Sequence, residues 1–183
     1  MKRGANVELT REIPGLSTIV LGVAWNTGSE RALEDNLVVA AVLCDTASRA
    51  LSERHFVFFN QLASPDLSVK QLTTVLAGDK EQIEIDLPEV PAEVARIVVV
   101  AYLNDGTAQR RTLGQLRELQ VRVLDGTNKE LVSSENLAAS LTSETAVVLG
   151  EVYRRNADWK FKVAGDGYSN GIAGIAADYG VPL

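Results

Sequence analysis

The chain has 183 residues, a mass of 19.7 kDa and a net charge of −6, from 18 basic and 24 acidic residues. A chain of this length can bury about 70% of its unfolded surface, so we expect one globular domain over residues 1–183. The acidic balance argues against binding to nucleic acid or to an anionic membrane surface, since both need a basic patch on the protein. Cys44 and His55 are the single cysteine and the single histidine, which excludes a Cys/His zinc site and an intramolecular disulfide.

The apolar segments of the chain are short. Met1–Asn6 is not followed by the apolar run of about 7–15 residues that a secretory signal requires. The longest apolar run, Leu37–Cys44, has eight residues, far fewer than the ~20 that a membrane-spanning helix needs. We therefore expect a cytoplasmic protein that does not insert into a membrane.

Most of the chain has the pattern of β-strands. Short apolar runs rich in β-branched and aromatic residues predict strands that are buried on both faces. Alternating segments predict strands with one polar face, and the turn at Asn156–Asp158 predicts a hairpin between Val147–Arg155 and the strand that follows. The apolar runs are Leu16–Trp25, Leu37–Cys44, Phe56–Phe59 and Ile97–Tyr102, and the alternating segments are Gln82–Leu87, Leu119–Val123 and Trp159–Val163.

Helices are few. Pro91 could open a single helical turn before the strand at Ile97. Ser133–Ser143 is polar enough to predict a surface loop, and Tyr168–Tyr179 predicts a helix that ends at Gly180. About eight or nine strands with this few helices predict a mostly β fold: a β-sandwich of two antiparallel sheets with one or two small flanking helices, one of them C-terminal.

Two patterns suggest a catalytic site, and neither has all the properties that catalysis requires. Gly167–Gly171 matches the G-x-S-x-G of a hydrolase nucleophile elbow. That fold requires a histidine after the serine, and no histidine follows Ser169. A pairing of Cys44 with His55 is conceivable, yet Cys44 ends an apolar run, where a thiol has a raised pKa and is inert. We expect no catalytic residues, a packed Cys44 and a solvated His55.

Carboxylates and amides that could hold a hard cation are scattered over several segments: Glu34–Asn36, Asn60–Gln61, Asp66 and Asp79–Glu81. Calcium prefers six to eight oxygen ligands gathered on loops. None of these segments forms an EF-hand loop or a dense acidic run, and Lys80 places a cation inside the last of them. Spacing alone therefore favours solvated loops over a metal site.

The last third of the chain carries a more specific signature. Ser143–Val181 combines an E-T-A strand, G-E-x-Y-R, a short turn, W-K-F-K and G-x-G-Y before a helix. Together with F-V-F-F-N-Q at Phe56–Gln61 and the segment Asp86–Val100, it resembles the TerD family of tellurium-resistance and stress proteins. The resemblance implies a β-sandwich and a cytoplasmic, non-enzymatic protein of tellurite or general stress resistance, often one that binds calcium.

The positions at which the resemblance implies calcium ligands are altered in this chain. Asn36 and Val38 stand at an expected D-x-D pair, and Gln61 stands beside Asn60 where a second asparagine is expected. Thr73–Val75 replaces a G-D-N segment, and several residues are missing before the acidic segment that Gly78–Glu81 resembles. With so few carboxylates left, we expect calcium binding to be weak or absent. The remnant candidate ligands are Asn36, Asn60, Asp79 and Glu81, and Asp35 could partly compensate.

Two functional hypotheses follow from the resemblance. The first is a non-catalytic protein that contacts other proteins of a stress-resistance system, has a degenerate calcium site and requires no cofactor. The alternative is a calcium sensor or buffer in which the altered loops still coordinate the ion. Calcium-dependent stability separates the two hypotheses, because a ligand stabilises the state that binds it.

Overall fold

Two antiparallel sheets form the protein. The computed structural model describes residues 1–75, 78–104 and 111–182. The first sheet has six strands in the order β1-β11-β10-β7-β3-β4, and the second has five in the order β5-β6-β2-β8-β9. The first contains β1 (Asn6–Glu8), β3 (Leu37–Cys44), β4 (Phe56–Val57), β7 (Arg96–Leu103), β10 (Ala146–Arg155) and β11 (Asp158–Tyr168); the second contains β2 (Thr18–Asn26), β5 (Val69–Gln71), β6 (Glu81–Asp86), β8 (Glu118–Asp125) and β9 (Glu130–Ser133).

The core lies between the two sheets and follows from strand alternation. Every second side chain of β2, from Ile19 to Trp25, is buried against inward-facing residues of the first sheet. Leu119, Val121 and Val123 of β8 continue the same layer. Because successive side chains of a strand point to opposite faces, the residues between them lie on the outer face of the second sheet.

The outer face of the first sheet is also apolar, and the C-terminal helix α2 (Ile172–Tyr179) covers it. Ile175 and Ala176 of α2 pack there with Val42, Val98 and Val148 of the sheet in a second buried cluster. This cover explains why β3, β7 and β10 are apolar on both faces. Within the described residues there is no helix long and apolar enough to cross a membrane.

The predicted fold class is confirmed: the structure is a two-sheet antiparallel sandwich with a C-terminal helix. Two local predictions were wrong. The helix begins at Ile172, because β11 runs to Tyr168 and Gly171, with φ of 68°, starts the helix only after a turn. The strand at Phe56 ends at Val57. Pro91 does open a single turn, in which the Val94 amide donates to the Pro91 carbonyl oxygen at 3.0 Å, and a 3₁₀ helix that was not predicted precedes it at Leu87–Glu89.

Ser133–Ser143 is only partly a loop, because Ser133 ends β9 and Leu137–Ser140 form a 3₁₀ helix. Leu137 and Ala138 of that helix, and Leu141 just after it, are buried. A short helix that the patterns did not indicate, α1 (Arg31–Asn36), leads directly into β3.

Candidate functional site

The two positions at which the family resemblance implies a D-x-D pair, Asn36 and Val38, have structural roles in this chain. Asn36 ends α1, and its side-chain Nδ2 donates a hydrogen bond to the Ala32 carbonyl oxygen at 2.8 Å. Val38 lies with the apolar cluster under α2, on the outer face of the first sheet. The D-x-D positions therefore supply a helix-closing amide and a packed aliphatic side chain.

Asn60 and Glu81 also lie in ordinary structural settings. Asn60 is exposed in a tight turn in which the backbones of Phe58 and Gln61 bond each other in both directions, at 3.0 Å. Glu81, at the start of β6, accepts a hydrogen bond from Gln71 Nε2 at 2.9 Å. Neither contact brings these oxygens towards a shared centre.

Of the four candidates, Asp79 has the most hydrogen-bond partners. Its carboxylate accepts hydrogen bonds from Arg122 Nε and Nη2, each at 2.9 Å, and from Gln82 Nε2 at 2.7 Å. The Asp79 side chain is 1% exposed, whereas that of Arg122 is 26% exposed. Hydrogen bonding to Asp79 raises the pKa of Arg122 above its ordinary value, although partial burial opposes the shift. Both carboxylate oxygens of Asp79 are therefore already bound by a cation of the same chain.

A glycine makes this arrangement sterically feasible. The Asp79 carboxylate lies directly over Gly22 of β2, where a Cβ would be 2.7 Å from the Asp79 Cγ, well inside van der Waals contact. Arg122 projects from the neighbouring strand β8, whose residue 122 pairs with Gly22. The missing side chain at Gly22 thus leaves the space in which the ion pair forms.

A second cation, Lys80, is bound by the carboxylate of Glu34 on α1. The Lys80 Nζ lies 2.9 Å from Glu34 Oε1, while Trp25 Nε1 and the Thr27 hydroxyl donate to Glu34 Oε2 at 3.1 and 3.3 Å. Partial burial raises the pKa of Glu34, but the bonds from Lys80, Trp25 and Thr27 outweigh it, so the pKa lies below its ordinary value. Glu34 is therefore an ionised counter-charge at neutral pH and is poorly suited to act as a general acid.

Glu34 and Lys80 border an open polar cleft of about 740 Å³. Its walls come from the end of β2, the segment leading into α1, Gly78 and two polar residues of β8, Glu118 and Gln120. Among the described residues there is no group of three or more His, Cys, Asp or Glu side chains that could hold a metal ion. The carboxylates of Asp79 and Glu34 are each paired with a cation of the same chain, so this pair does not fit a calcium ion.

The two catalytic patterns have structural explanations. Ser169 is exposed in the turn between β11 and α2, and the Nδ1 of His55 lies 2.7 Å from the hydroxyl of Ser52, in a local turn. Cys44 is fully buried in the cluster beneath α2, and burial raises the pKa of its thiol to about 12. A neutral, inaccessible thiol is a poor nucleophile.

An apolar surface formed by residues 59–67 is the other unusual feature. Of the described residues, the large hydrophobic side chains that are exposed all fall there: Phe59, Leu62 and Leu67, the last 60% exposed. Phe59 lies on the tip of the tight turn, and edge-to-face contacts at 5.1 and 5.0 Å link it through Phe58 to the buried Phe56. Phe59 is thus held in place by a series of rings that reaches into the protein.

Leu67 is presented by a strained turn. Its φ of 67° lies in the left-handed region, which is costly for a residue with a Cβ and rare for leucine. The turn is fixed by Asp66 Oδ1, which accepts hydrogen bonds from the Ser68 amide at 2.8 Å, from the Ser64 hydroxyl at 3.0 Å and from the Ser68 hydroxyl. Burial raises the pKa of Asp66, yet these bonds bring it below its ordinary value.

Sequence reasoning missed two parts of this arrangement. Asp79 was recognised as a candidate, but its partner Arg122 lies 43 residues away. The alternation Gln120–Arg122 was the available signal, since it places Arg122 on the outer face of β8. Leu67, in a Pro-Asp-Leu-Ser turn where glycine or asparagine is usual at the left-handed position, was a second available signal.

The fold and this polar end of the molecule define a class: antiparallel β-sandwiches with one apolar and one polar outer face. Comparison with known proteins identifies the family, because a model described as the TerD domain matches residues 1–179. The chain belongs to the TerD-domain family. It is 37% identical over 189 residues to general stress protein 16U of Bacillus subtilis, a match that covers 100% of this chain and 97% of that protein.

Other relatives agree with this assignment. The tellurium resistance protein TerD of Serratia marcescens is 32% identical over 185 residues, covering 99% of this chain and 96% of that protein. The crystal structure of a homologue of telluride resistance protein (TerD) from Streptomyces coelicolor A3(2) superposes with a TM-score of 0.67 at 19% identity. That match covers 88% of this chain and 96% of the other, and at this identity it is evidence for the fold alone.

Proposed function

We propose that this protein is a non-catalytic, cytoplasmic member of a tellurite or general stress-resistance system and acts by contacting other proteins of that system. Calcium binding is weak or absent in this proposal, and no cofactor is required. The proposal has two supports: the relatives that are named for tellurium resistance and general stress, and the apolar surface of residues 59–67.

The apolar surface is the observation that favours protein contacts over catalysis. Exposed apolar side chains that are scattered singly need no explanation, whereas three within nine residues form a local feature. Phe59 is braced by neighbouring rings, so it loses little side-chain freedom when a partner covers it. Leu67 is kept exposed at a conformational cost, and strain of this kind accumulates at functional positions.

The test uses the double variant Phe59→Ser/Leu67→Gly in the host strain, with the chromosomal gene replaced. Leu67→Gly removes the exposed leucine and also relieves the left-handed strain, so the purified variant should keep or raise its melting temperature. Asn128→Gly is the matched control, since Asn128 is exposed and has a φ of 69° in a turn far along the chain. It changes the same backbone property without removing an apolar side chain.

We expect the double variant to lose tellurite resistance to the level of a gene deletion, while Asn128→Gly retains it. A partner that co-purifies with the wild type and with Asn128→Gly, but not with the double variant, would support the same conclusion. Full resistance in the folded double variant would contradict a role for this surface. Loss of resistance on Ser169→Ala, with stability unchanged, would favour an enzyme instead.

A further inference from the structure

Two side chains of this protein, Arg122 and Lys80, place positive charge at the segment where the family resemblance implies a metal ion. Arg122 binds both oxygens of Asp79, and Lys80 binds Glu34. Asp79 and Lys80 are adjacent, so the two ion pairs hold one short segment against two different elements. On one side that segment is bound to β8, and on the other to α1.

We infer that Arg122 and Lys80 are internal counter-ions that take the electrostatic role of a divalent cation, so that the segment of residues 78–80 is held in place without metal. This inference rests on the proposed function, specifically on weak or absent calcium binding, and it gives that weakness a physical cause.

Burial makes the Arg122 pair the stronger of the two. A carboxylate as enclosed as that of Asp79 is costly unless a cation or several hydrogen-bond donors compensate for lost water. The guanidinium supplies a two-pronged contact, and Gln82, itself 1% exposed, supplies a third donor. A metal ion would have to displace the guanidinium from both oxygens before it could coordinate them.

The Lys80 pair is more exposed and has a positioning role. The Lys80 and Glu34 side chains are 45% and 36% exposed, so solvent screens their attraction. Glu34 is held independently by Trp25 and Thr27, which lie on and just after β2. Lys80 is further tied to the same strand by its amide, which donates to the Val23 carbonyl oxygen at 2.8 Å. The segment is therefore attached to β2, β8 and α1 by contacts that need no ligand.

The experiment measures melting temperatures of the purified full-length chain in 1 mM EDTA and in 1 mM calcium. We expect the wild type to melt within about 1 °C in the two conditions, because no free carboxylate cluster is available to the ion. We expect Arg122→Gln to melt about 5–10 °C lower in EDTA, since it leaves the enclosed Asp79 carboxylate without a cation. Arg155→Gln, at an exposed arginine at the end of β10, is the matched control and should melt within about 1 °C of the wild type.

Two further variants separate charge from packing. Asp79→Asn/Arg122→Gln should recover at least half of the loss seen in Arg122→Gln, because the uncompensated charge is gone. Lys80→Gln/Arg122→Gln removes both cations and leaves both carboxylates, so calcium should raise its melting temperature by 2 °C or more. If this variant does not fold, Arg122→Gln alone is tested for the same calcium response.

The outcomes distinguish the inference from the proposed function. If the wild type melts clearly higher in calcium, both the inference and the proposal that calcium binding is weak or absent are contradicted. A wild type that ignores calcium, together with an Arg122→Gln variant as stable as the wild type, contradicts the inference alone. The inference also fails if removal of the cations creates no response to calcium.

Discussion

The two outer faces of the sandwich are covered in opposite ways. On the first sheet, α2 buries Ile175 and Ala176 against valines of the strands, as in an ordinary core. On the second sheet, the segment of residues 78–80 covers Gly22 with a carboxylate and pairs it with Arg122. One cover depends on the burial of apolar area, and the other depends on charges that must remain paired.

The two covers also differ in how completely they close the surface around them. The apolar cover is anchored at its far end by Arg49, whose Nη1 donates to the carbonyl oxygens of Ala177 and Asp178 at 3.3 Å, and Cys44 lies beneath it. The polar cover leaves an open cleft beside it. The apolar surface of residues 59–67 lies on the connection from β4 to β5, which are edge strands of the two sheets.

The largest expected effect comes from weakening the apolar cover. Ile175→Ala should lower the free energy of unfolding by about 3 kcal/mol, because Ile175 is fully buried and its removal leaves a cavity under α2. Urea unfolding measures the change. Ala177→Ser, on the exposed side of the same helix, is the control and should stay within about 0.5 kcal/mol of the wild type. A loss below about 1 kcal/mol for Ile175→Ala would show that α2 is not an essential cover.

A smaller effect is expected from crowding the polar cover. Gly22→Ala should cost about 2 kcal/mol, because the new Cβ pushes the Asp79 carboxylate away from Arg122. In an Asp79→Ser background the same change should cost almost nothing, which a double-mutant cycle in urea would reveal. Equal costs in both backgrounds would show that the ion pair is not what Gly22 accommodates. Gly126→Ala, where a Cβ meets Thr18 only at 3.5 Å, is the control.

The smallest effect concerns the pH dependence of the Lys80–Glu34 pair. The pKa of Glu34 is lowered in the folded protein, so its ionised form stabilises the fold above the unfolded-state pKa and this contribution is lost as pH falls through the folded-state pKa. Glu34→Gln should therefore cost up to about 1 kcal/mol at pH 7 and progressively less below about pH 4. Urea unfolding at pH 7, 5 and 3.5 tests this, and a cost that stays constant with pH would contradict it.

Prediction from sequence worked best where one local property determines the structure. The bounds of β3, Leu37–Cys44, agree residue for residue, because its apolar run is bounded by polar residues on both sides. The helix α1 escaped notice because it has only six residues and Glu30 makes no side-chain cap. The start of α2 was placed too early because β11 continues to Tyr168 through glycines that weaken the strand pattern.

In the candidate site, too, local features were predictable from the sequence and contacts between distant residues were not. Asn36, Asn60, Asp79 and Glu81 were identified from the family resemblance, and each is engaged in or exposed on a separate local structure. The alternation in β8 places Arg122 on the outer face, but it does not indicate that Arg122 reaches Asp79, because the two residues become neighbours only when β6 and β8 pair with β2 on its two sides. Leu67 was visible in the sequence as an unusual turn residue, but its exposure, like that of Phe59 and Leu62, depends on the path of the connection between the two sheets.

The sequence alone determined the antiparallel sandwich and the family, since strand alternation, turn residues and the C-terminal signature are local patterns. It also determined that the carboxylates expected at a calcium site are reduced in number. Only the tertiary structure decided what became of the carboxylates that remain: Asp79 binds Arg122 over Gly22, and Glu34 binds Lys80. The physical reason is that a buried charge requires a partner nearby in space, and pairing of the strands brings Arg122 and Asp79 together.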